Sequence, residues 1–237
     1  MKRIIVKENQ TNFIGAWNIE NDELCKNIIS FFQSNTSLQF QGRTAAGKNL
    51  QSKNRTDIMI RPSFLKEEKF SILKKYIDEL HKCYLDYLEQ WPFLKRMASK
   101  MDIGPFNIGE YLPGGHFGNI HSERTSINTL HRLFAFMTYL NDVEDGGETK
   151  FTHYGVSIRP EVGKTLIWPA EWTHAHSGEI LNSGKKYIIT GWLHFPHEWF
   201  YMNKKRNLIA KDLLSKKYKP RIVKPKKGKG SFKRKKK

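Results

Sequence analysis

The chain has 237 residues and a formal net charge of +18, with 38% hydrophobic and 13% aromatic residues, which suits one large domain or two small ones with a real core. This apolar content excludes a fully disordered or fibrous protein. The longest unbroken apolar run, residues 133–137, is far shorter than the about 18 residues that a membrane helix needs, so we expect no membrane contact. Residues 1–7 are too polar for a signal-peptide core, and Cys25 and Cys83 lack a CxxC spacing, which favours a reducing, cytoplasmic location.

The positive charge is concentrated at the C-terminal end. Residues 216–237 contain 13 Lys or Arg and no Asp or Glu, so the rest of the chain carries only +5. Like charges repel and almost nothing there is apolar, which predicts a disordered basic tail after a single domain that spans residues 1–215. Such a tail can bind nucleic acid without sequence preference or can simply be solvated, and both readings stay open.

Residues 12–100 are predicted to be a mostly helical support. A first helix begins near Asn21 or Asp22 and places apolar residues three to four positions apart. A second helix lies between Pro62 and Pro92 and has one apolar face. Residues 37–56 are rich in polar residues and Gly without a period, which predicts a long loop that could act as a lid.

Residues 105–197 show a different pattern, with short β-like runs separated by Gly and Pro. Many short strands with turn signals are typical of a sandwich or barrel, and we expect this segment to form the β core. The predicted strands are residues 106–112, 130–140, 148–151, 156–159, 164–168, 172–176 and 187–195.

Most of the nine histidines lie in this β-rich segment, which invites a metal-site interpretation. His121 and Glu123 are two residues apart, so both side chains leave an extended segment on the same face. A third ligand can come from His174 or His176 on a later predicted strand. Two histidines and one carboxylate leave coordination positions open, as in non-haem Fe(II) oxygenases, although a His-x-Glu pair alone is common by chance.

Residues 137–151 and 184–192 resemble 2-oxoglutarate- and Fe(II)-dependent oxygenases of the prolyl 4-hydroxylase-like branch. The resemblance runs from about residue 107 to 195, under half of the chain. It implies a mainly β fold with N-terminal helices, a double-stranded β-helix or cupin-like jelly roll. It also implies a dioxygenase that hydroxylates a C–H bond, for instance of a prolyl residue, and releases succinate and CO2.

The resemblance assigns the metal ligands residue by residue. His121 matches the first iron-binding histidine, and Glu123 stands where the family usually has Asp. His176 lies eight residues before Gly184, as the distal histidine of the family does, whereas His174 lies ten before it. We therefore predict His121, Glu123 and His176 as the metal ligands, with His174 as the alternative to His176.

The same resemblance assigns cofactor-binding positions. Lys186 matches the basic residue that pairs with the distal carboxylate of 2-oxoglutarate, a dianion that needs a counter-charge when desolvated. Tyr139 matches a tyrosine that hydrogen-bonds the same carboxylate, Tyr111 one near the cosubstrate mouth, and Trp192 an aromatic beside the iron. For these three aromatics a plain core role is equally open. No catalytic residue beyond the metal centre is expected.

The implied cofactors are Fe(II), 2-oxoglutarate as cosubstrate, and ascorbate (vitamin C) as an accessory. The substrate is an unidentified small molecule or peptide. Two alternatives remain: a nucleic-acid-modifying oxygenase of the same chemistry, and a non-catalytic jelly-roll binding protein with a nucleic-acid-binding tail. The C-terminal predicted strand lacks the paired arginines that nucleic-acid-modifying oxygenases usually show. The complete set of predicted metal ligands, His121, Glu123 and His176, argues against a non-catalytic binding protein.

Overall fold

The structure is a computed structural model that describes residues 1–7, 11–42, 51, 53–98 and 100–196. Two antiparallel sheets and a layer of helices make up this part of the chain. The helices are α1 (Asp22–Ser34), α2 (Ser71–Gln90) and α3 (Pro92–Met97). The strands are β1 (Lys2–Ile4), β2 (Gly15–Asn18), β3 (Phe40–Gln41), β4 (Thr56–Ile60), β5 (Asp102–Ile103), β6 (Phe106–Tyr111), β7 (Phe117–His121), β8 (Arg132–Tyr139), β9 (Thr149–Phe151), β10 (Val156–Ile158), β11 (Lys164–Pro169), β12 (His176–Gly178) and β13 (Lys186–His194).

The large sheet has the strand order β1-β2-β11-β8-β13-β6-β4-β3, with β5 also paired to β13, and the small sheet has the order β10-β9-β12-β7. Strands β8 and β13 are the central neighbours of the large sheet, and most of their residues are buried on both faces. This explains their long apolar runs, because a strand covered on both sides cannot alternate with polar residues. The predicted mainly β fold with N-terminal helices is confirmed.

The core lies in two layers on either side of the large sheet. Phe134 and Phe136 of β8 pack with the helices, whereas Ala135 and Met137 of the same strand face the small sheet. This alternation follows from the two-residue repeat of a strand. Full burial of each large apolar side chain contributes about 1.5–3 kcal/mol. The second layer, between the sheets, is where the site described below opens.

Both predicted helices are present. Asn21 is the N-cap of α1, because its side-chain oxygen accepts a hydrogen bond from Leu24 N at 3.1 Å. Helix α2 ends at Gln90, and Pro92 then begins α3 rather than closing the helical segment. None of the helices in the described ranges is both long and apolar enough to cross a membrane.

Two features of the sequence prediction differ from the structure. Residues 12–100 are not mostly helical throughout, because β2, β3 and β4 add to the large sheet. The predicted strand at 172–176 is a 3₁₀ turn over Trp172–His174, and β12 starts at His176. Residues 43–50 and 52 of the predicted lid and the whole predicted tail, residues 216–237, lie outside the described residues. The described residues belong to one compact unit, Met1–Pro196.

Candidate metal and cosubstrate site

The register between β7 and β12 brings two histidines together. His121 and His176 are direct cross-strand partners, and their ring centroids are 4.4 Å apart. Glu123 follows β7, and its Oε1 lies 3.8 Å from His121 Nε2 and 3.5 Å from His176 Nε2. One ligand atom from each of the three residues lies within 4.8 Å of the other two. The three predicted metal ligands therefore meet at one point.

Hydrogen bonds to the backbone orient both rings. His121 Nδ1 lies 2.8 Å from Asn119 O, and His176 Nδ1 lies 2.8 Å from His174 O. A carbonyl oxygen only accepts, so each Nδ1–H donates and each Nε2 turns its lone pair toward Glu123. Acceptor atoms gathered in this way fit a cation between them.

The protonation states also suit a metal. Burial and the neighbouring His176 lower the pKa of His121 to about 4, so its imidazole is neutral at pH 7. Burial alone would raise the pKa of Glu123, but hydrogen bonding, including the bond donated by Trp192 Nε1, lowers it, so the carboxylate is ionised at pH 7. A carboxylate and imidazole nitrogens form the 2-His-1-carboxylate donor set of non-haem Fe(II) sites, and the residues fit this metal.

His174 points away from this group. Its Nε2 lies 2.8 Å from Asn12 O, and its Nδ1 lies 3.0 Å from Thr173 Oγ1. The side chain is buried beside Tyr154, with ring centroids 5.1 Å apart. The structure therefore brings His176, and not His174, to the other two predicted ligands.

The three residues line a cavity of about 1040 Å³ that also contains Lys186. Lys186 is 2% exposed, and its Nζ donates to Gly147 O at 2.7 Å and lies 4.2 Å from the centroid of the Tyr111 ring. Burial, followed by the charge of Arg55, lowers the pKa of Lys186 to about 7. Lys185 is exposed and pairs with Glu110 at 3.1 Å, outside the cavity lining. A dianion in this cavity therefore meets Lys186 and not Lys185.

The predicted aromatic residues occupy three different positions. Tyr111 lines the cavity under Lys186. Trp192 also lines it, and its Nε1 donates to Glu123 Oε2 at 2.7 Å, so it contacts a candidate ligand. Tyr139 is not among the lining residues: its buried hydroxyl donates to Thr149 Oγ1 at 2.6 Å. Thr149 is the residue of this pair that lines the cavity, and the role of Tyr139 in cosubstrate binding stays a prediction.

Beside the cavity lies a buried cluster of charged residues that the sequence pattern did not predict. Asp57 Oδ2 lies 3.1 Å from Lys53 Nζ, and Asp57 Oδ1 lies 2.7 Å from Arg55 Nε. Arg55 Nη1 also donates to Tyr111 OH at 3.0 Å. The signal was the alternation Lys-x-Arg-x-Asp, which puts all three side chains on one face of an extended segment. Most of this pattern lies within residues 37–56, for which the sequence predicted a long loop.

Comparisons with known proteins agree with this geometry. Residues 106–194 match the family model of the 2OG-Fe(II) oxygenase superfamily. Prolyl 4-hydroxylase subunit alpha-2 of Gallus gallus is 28% identical over 107 residues, which are 42% of this chain and 20% of that protein. The chain thus spans about a fifth of the length of this curated relative.

Two solved structures share the fold. A Pseudomonas putida prolyl-4-hydroxylase superposes with a TM-score of 0.60 at 16% identity and covers 78% of this chain and 94% of its own. A prolyl hydroxylase from Trichoplax adhaerens, in complex with a hypoxia inducible factor oxygen degradation domain peptide fragment, has a TM-score of 0.61 at 15% identity and covers 82% and 89%. The predicted jelly-roll fold is confirmed.

Proposed function

We propose that the chain, whose residues 106–194 match the 2OG-Fe(II) oxygenase superfamily and which is similar to prolyl 4-hydroxylases, hydroxylates a C–H bond with Fe(II) as its metal and with O2 and 2-oxoglutarate as cosubstrates. The observation that carries this proposal is the convergence of His121, Glu123 and His176 in the cavity that contains Lys186. Two histidines and one carboxylate that leave coordination positions open are typical of non-haem Fe(II) oxygenases, which favours catalysis over a purely structural role.

In this proposal His121, Glu123 and His176 hold the iron. When bound, the iron would supply the chemistry by which O2 gives one oxygen atom to the substrate as a hydroxyl group and the other to 2-oxoglutarate, which becomes succinate and CO2. The chain holds each ligand in orientation: carbonyl oxygens fix the two histidine rings, and Trp192 fixes one oxygen of Glu123. No side chain is required as an acid or base.

Lys186 holds the distal carboxylate of 2-oxoglutarate. Its ammonium is buried, so an anion that reaches it gains a strong, poorly screened interaction. Tyr111 lies beneath this ammonium, and Thr149, held by Tyr139, offers a hydroxyl from the same wall. Tyr139 thus acts as a positioning residue for Thr149.

We further propose a prolyl residue in a peptide as the substrate. This rests on the relatives, which are named prolyl 4-hydroxylases, and on the peptide bound to the Trichoplax adhaerens enzyme. A small molecule is the alternative.

Ascorbate enters as an accessory reductant, and its role is tested by whether turnover lasts longer in its presence. For the basic segment 216–237, with 13 cations and no acid, we propose nonspecific binding to nucleic acid.

The experiment is a peptide screen by mass spectrometry. The chain is incubated with Fe(II), 2-oxoglutarate, O2 and proline-containing peptides, and we expect a product heavier by one oxygen atom together with an equal amount of succinate. The His176→Ala variant is the control and is expected to give neither. Succinate formation that is independent of iron would contradict the proposal.

A further inference from the structure

The cavity carries more positive charge than its surroundings. Its lining in the described residues includes the cations Lys53, Arg55, Arg132 and Lys186 but a single carboxylate, Glu123. Residues 1–196 as a whole contain 24 Lys and Arg against 21 Asp and Glu, so the body of the chain is close to neutral. The charge of the cavity is therefore a local feature and does not reflect the strongly basic C-terminal end.

Two carboxylates offset these four cations. Asp57 pairs with both Lys53 and Arg55 from behind the cavity wall, and Glu123 Oε2 lies 3.7 Å from Arg132 Nη1. Among the described residues of the cavity and its wall, a formal excess of two positive charges remains. Divalent iron and dianionic 2-oxoglutarate cancel each other, so the loaded cavity keeps this excess. Buried charge is unfavourable unless it is paired, which favours an anionic partner that arrives with the substrate.

The excess lies beside the candidate metal site, on two sides of it. Lys53 Nζ is 5.5 Å from the centroid of the Phe117 ring, and Phe117 stacks on His121 at 3.9 Å. Arg132 covers the ring of Trp192 at 3.6 Å, and its Nε is buried without a hydrogen-bond partner in the described part of the chain. Lys53 is itself buried, and the Asp57 carboxylate with which it pairs is shared with Arg55.

We propose that the substrate of this site is an acidic peptide segment, in which a carboxylate near the hydroxylated residue pairs with Lys53 or Arg132. The inference rests on the proposed hydroxylase function and specifies its substrate. Electrostatic complementarity of this kind selects among partners of the same shape.

Two observations favour a peptide over a nucleic acid. Ile120 lines the cavity and is 63% exposed, and Ile127, on the adjacent 3₁₀ turn, is 86% exposed. Exposed aliphatic side chains at a rim suit apolar peptide side chains. Nucleic acids instead stack on aromatic faces, and here Phe117 and Trp192 already stack with His121 and Arg132.

The test compares three peptides of one length with a central proline flanked by Asp, by Asn or by Lys. Binding to the full chain is measured by calorimetry, both with Fe(II) and 2-oxoglutarate in the absence of O2 and without them. We expect the Asp peptide to bind about tenfold tighter than its Asn isostere, and the Lys peptide to bind most weakly.

Single variants locate the preference, because cations elsewhere in the chain also attract an acidic peptide. Lys53→Gln and Arg132→Gln are each expected to reduce the ratio between the Asp and Asn peptides by several fold. Lys150→Gln removes the same charge from an exposed position of β9 and is expected to leave the ratio unchanged.

Three results would overturn the inference: equal binding of the Asp and Asn peptides, a ratio that survives both cavity variants, or no binding by any peptide. A single-stranded oligonucleotide whose binding is weakened by Lys53→Gln and Arg132→Gln would overturn it in favour of nucleic acid. Failure of the proposed function appears separately, as no effect of Fe(II) or 2-oxoglutarate on the calorimetric or spectroscopic signal of the chain.

Discussion

Trp192 donates a hydrogen bond from its indole Nε1 to Glu123 Oε2 over 2.7 Å. The bond joins the large sheet, through β13, to the residue that follows the small-sheet strand β7. It holds one carboxylate oxygen and leaves Oε1 facing the two histidines. A glutamate is one methylene longer than the aspartate usual at this position in the family, and this contact restricts the additional freedom.

The first prediction concerns this hydrogen bond. Trp192→Phe keeps an aromatic ring but removes the donor, and we expect the affinity for Fe(II) to fall by about 10- to 100-fold, as for other residues that orient metal ligands. Metal titration measures the effect. Trp172→Phe is the matched control, since Trp172 is 69% exposed, and equal losses in both variants would contradict the assigned role.

The second prediction separates the two histidines. His176→Ala is expected to abolish metal binding because it removes a ligand. His174→Ala is expected to retain metal binding and to lower the free energy of unfolding by about 1 kcal/mol or more, because it removes the buried hydrogen bond between His174 Nε2 and Asn12 O. Metal titration and chemical denaturation of both variants measure these effects. Metal binding that depends on His174 and not on His176 would refute the assignment.

The sequence carried the spacing that selects His176, because its distance to Gly184 matches the family pattern. The sequence could not show why His174 lies outside the cluster of His121, Glu123 and His176, since the predicted strand 172–176 would put His174 and His176 on one face. A 3₁₀ turn over Trp172–His174 breaks this alternation and sends His174 toward Asn12. A local turn of this kind depends on contacts with a distant segment, which periodicity does not record.

The burial of Lys53, Arg55 and Asp57 was harder to predict. In the sequence these residues resemble part of a polar loop, since isolated charged residues are rarely buried. They are buried here because they pair with one another and because β4 joins the large sheet beside β6. Tyr139 is a different case, because its position matches the family pattern. The hydrogen bond that its hydroxyl donates to Thr149 could not be predicted from that pattern.

The third prediction concerns Lys186. Removal of one partner of a buried charge pair costs about 3–5 kcal/mol, so Lys186→Met is expected to weaken 2-oxoglutarate binding by about two orders of magnitude or more. Lys185→Met is the control and is expected to change it little, because Lys185 is exposed and pairs with Glu110. Calorimetry with 2-oxoglutarate measures both variants. Equal losses would mean that Lys186 does not face the cosubstrate.

The fourth prediction is a pH dependence of 2-oxoglutarate binding. The pKa of Lys186 is lowered to about 7 by burial and by Arg55, while Glu148 acts weakly in the opposite direction. The carbonyl of Gly147 and the ring of Tyr111 also face its ammonium. Below pH 7 the lysine is charged and binds the dianion. Above pH 7 it must first take up a proton, so the apparent Kd should rise by up to about tenfold per pH unit.

Calorimetry in buffers of different ionisation enthalpy checks this dependence, since proton uptake on binding adds a buffer-dependent heat. The Lys186→Met variant should show no rise of Kd in this pH range. Tighter binding of the wild-type chain at pH 8 than at pH 6 would contradict the assignment of this titration to Lys186.

The fifth prediction concerns the basic C-terminal segment. A chain that ends at Ser215 lacks 13 cations, and we expect it to lose salt-sensitive binding to DNA or RNA while it keeps its affinity for 2-oxoglutarate. Fluorescence anisotropy with a labelled oligonucleotide at two salt concentrations measures the first property and calorimetry the second. Unchanged nucleic-acid affinity would assign that binding to the body of the chain.

The central claim is that His121, Glu123 and His176 hold an iron ion to which 2-oxoglutarate binds. Visible absorption spectroscopy of the full chain without O2 tests it most directly. The account predicts that a weak charge-transfer band appears only when Fe(II) and 2-oxoglutarate are both present, and that His176→Ala abolishes it while Lys150→Gln does not. A wild-type chain that is folded and shows no band, or a band that survives His176→Ala, would contradict the account.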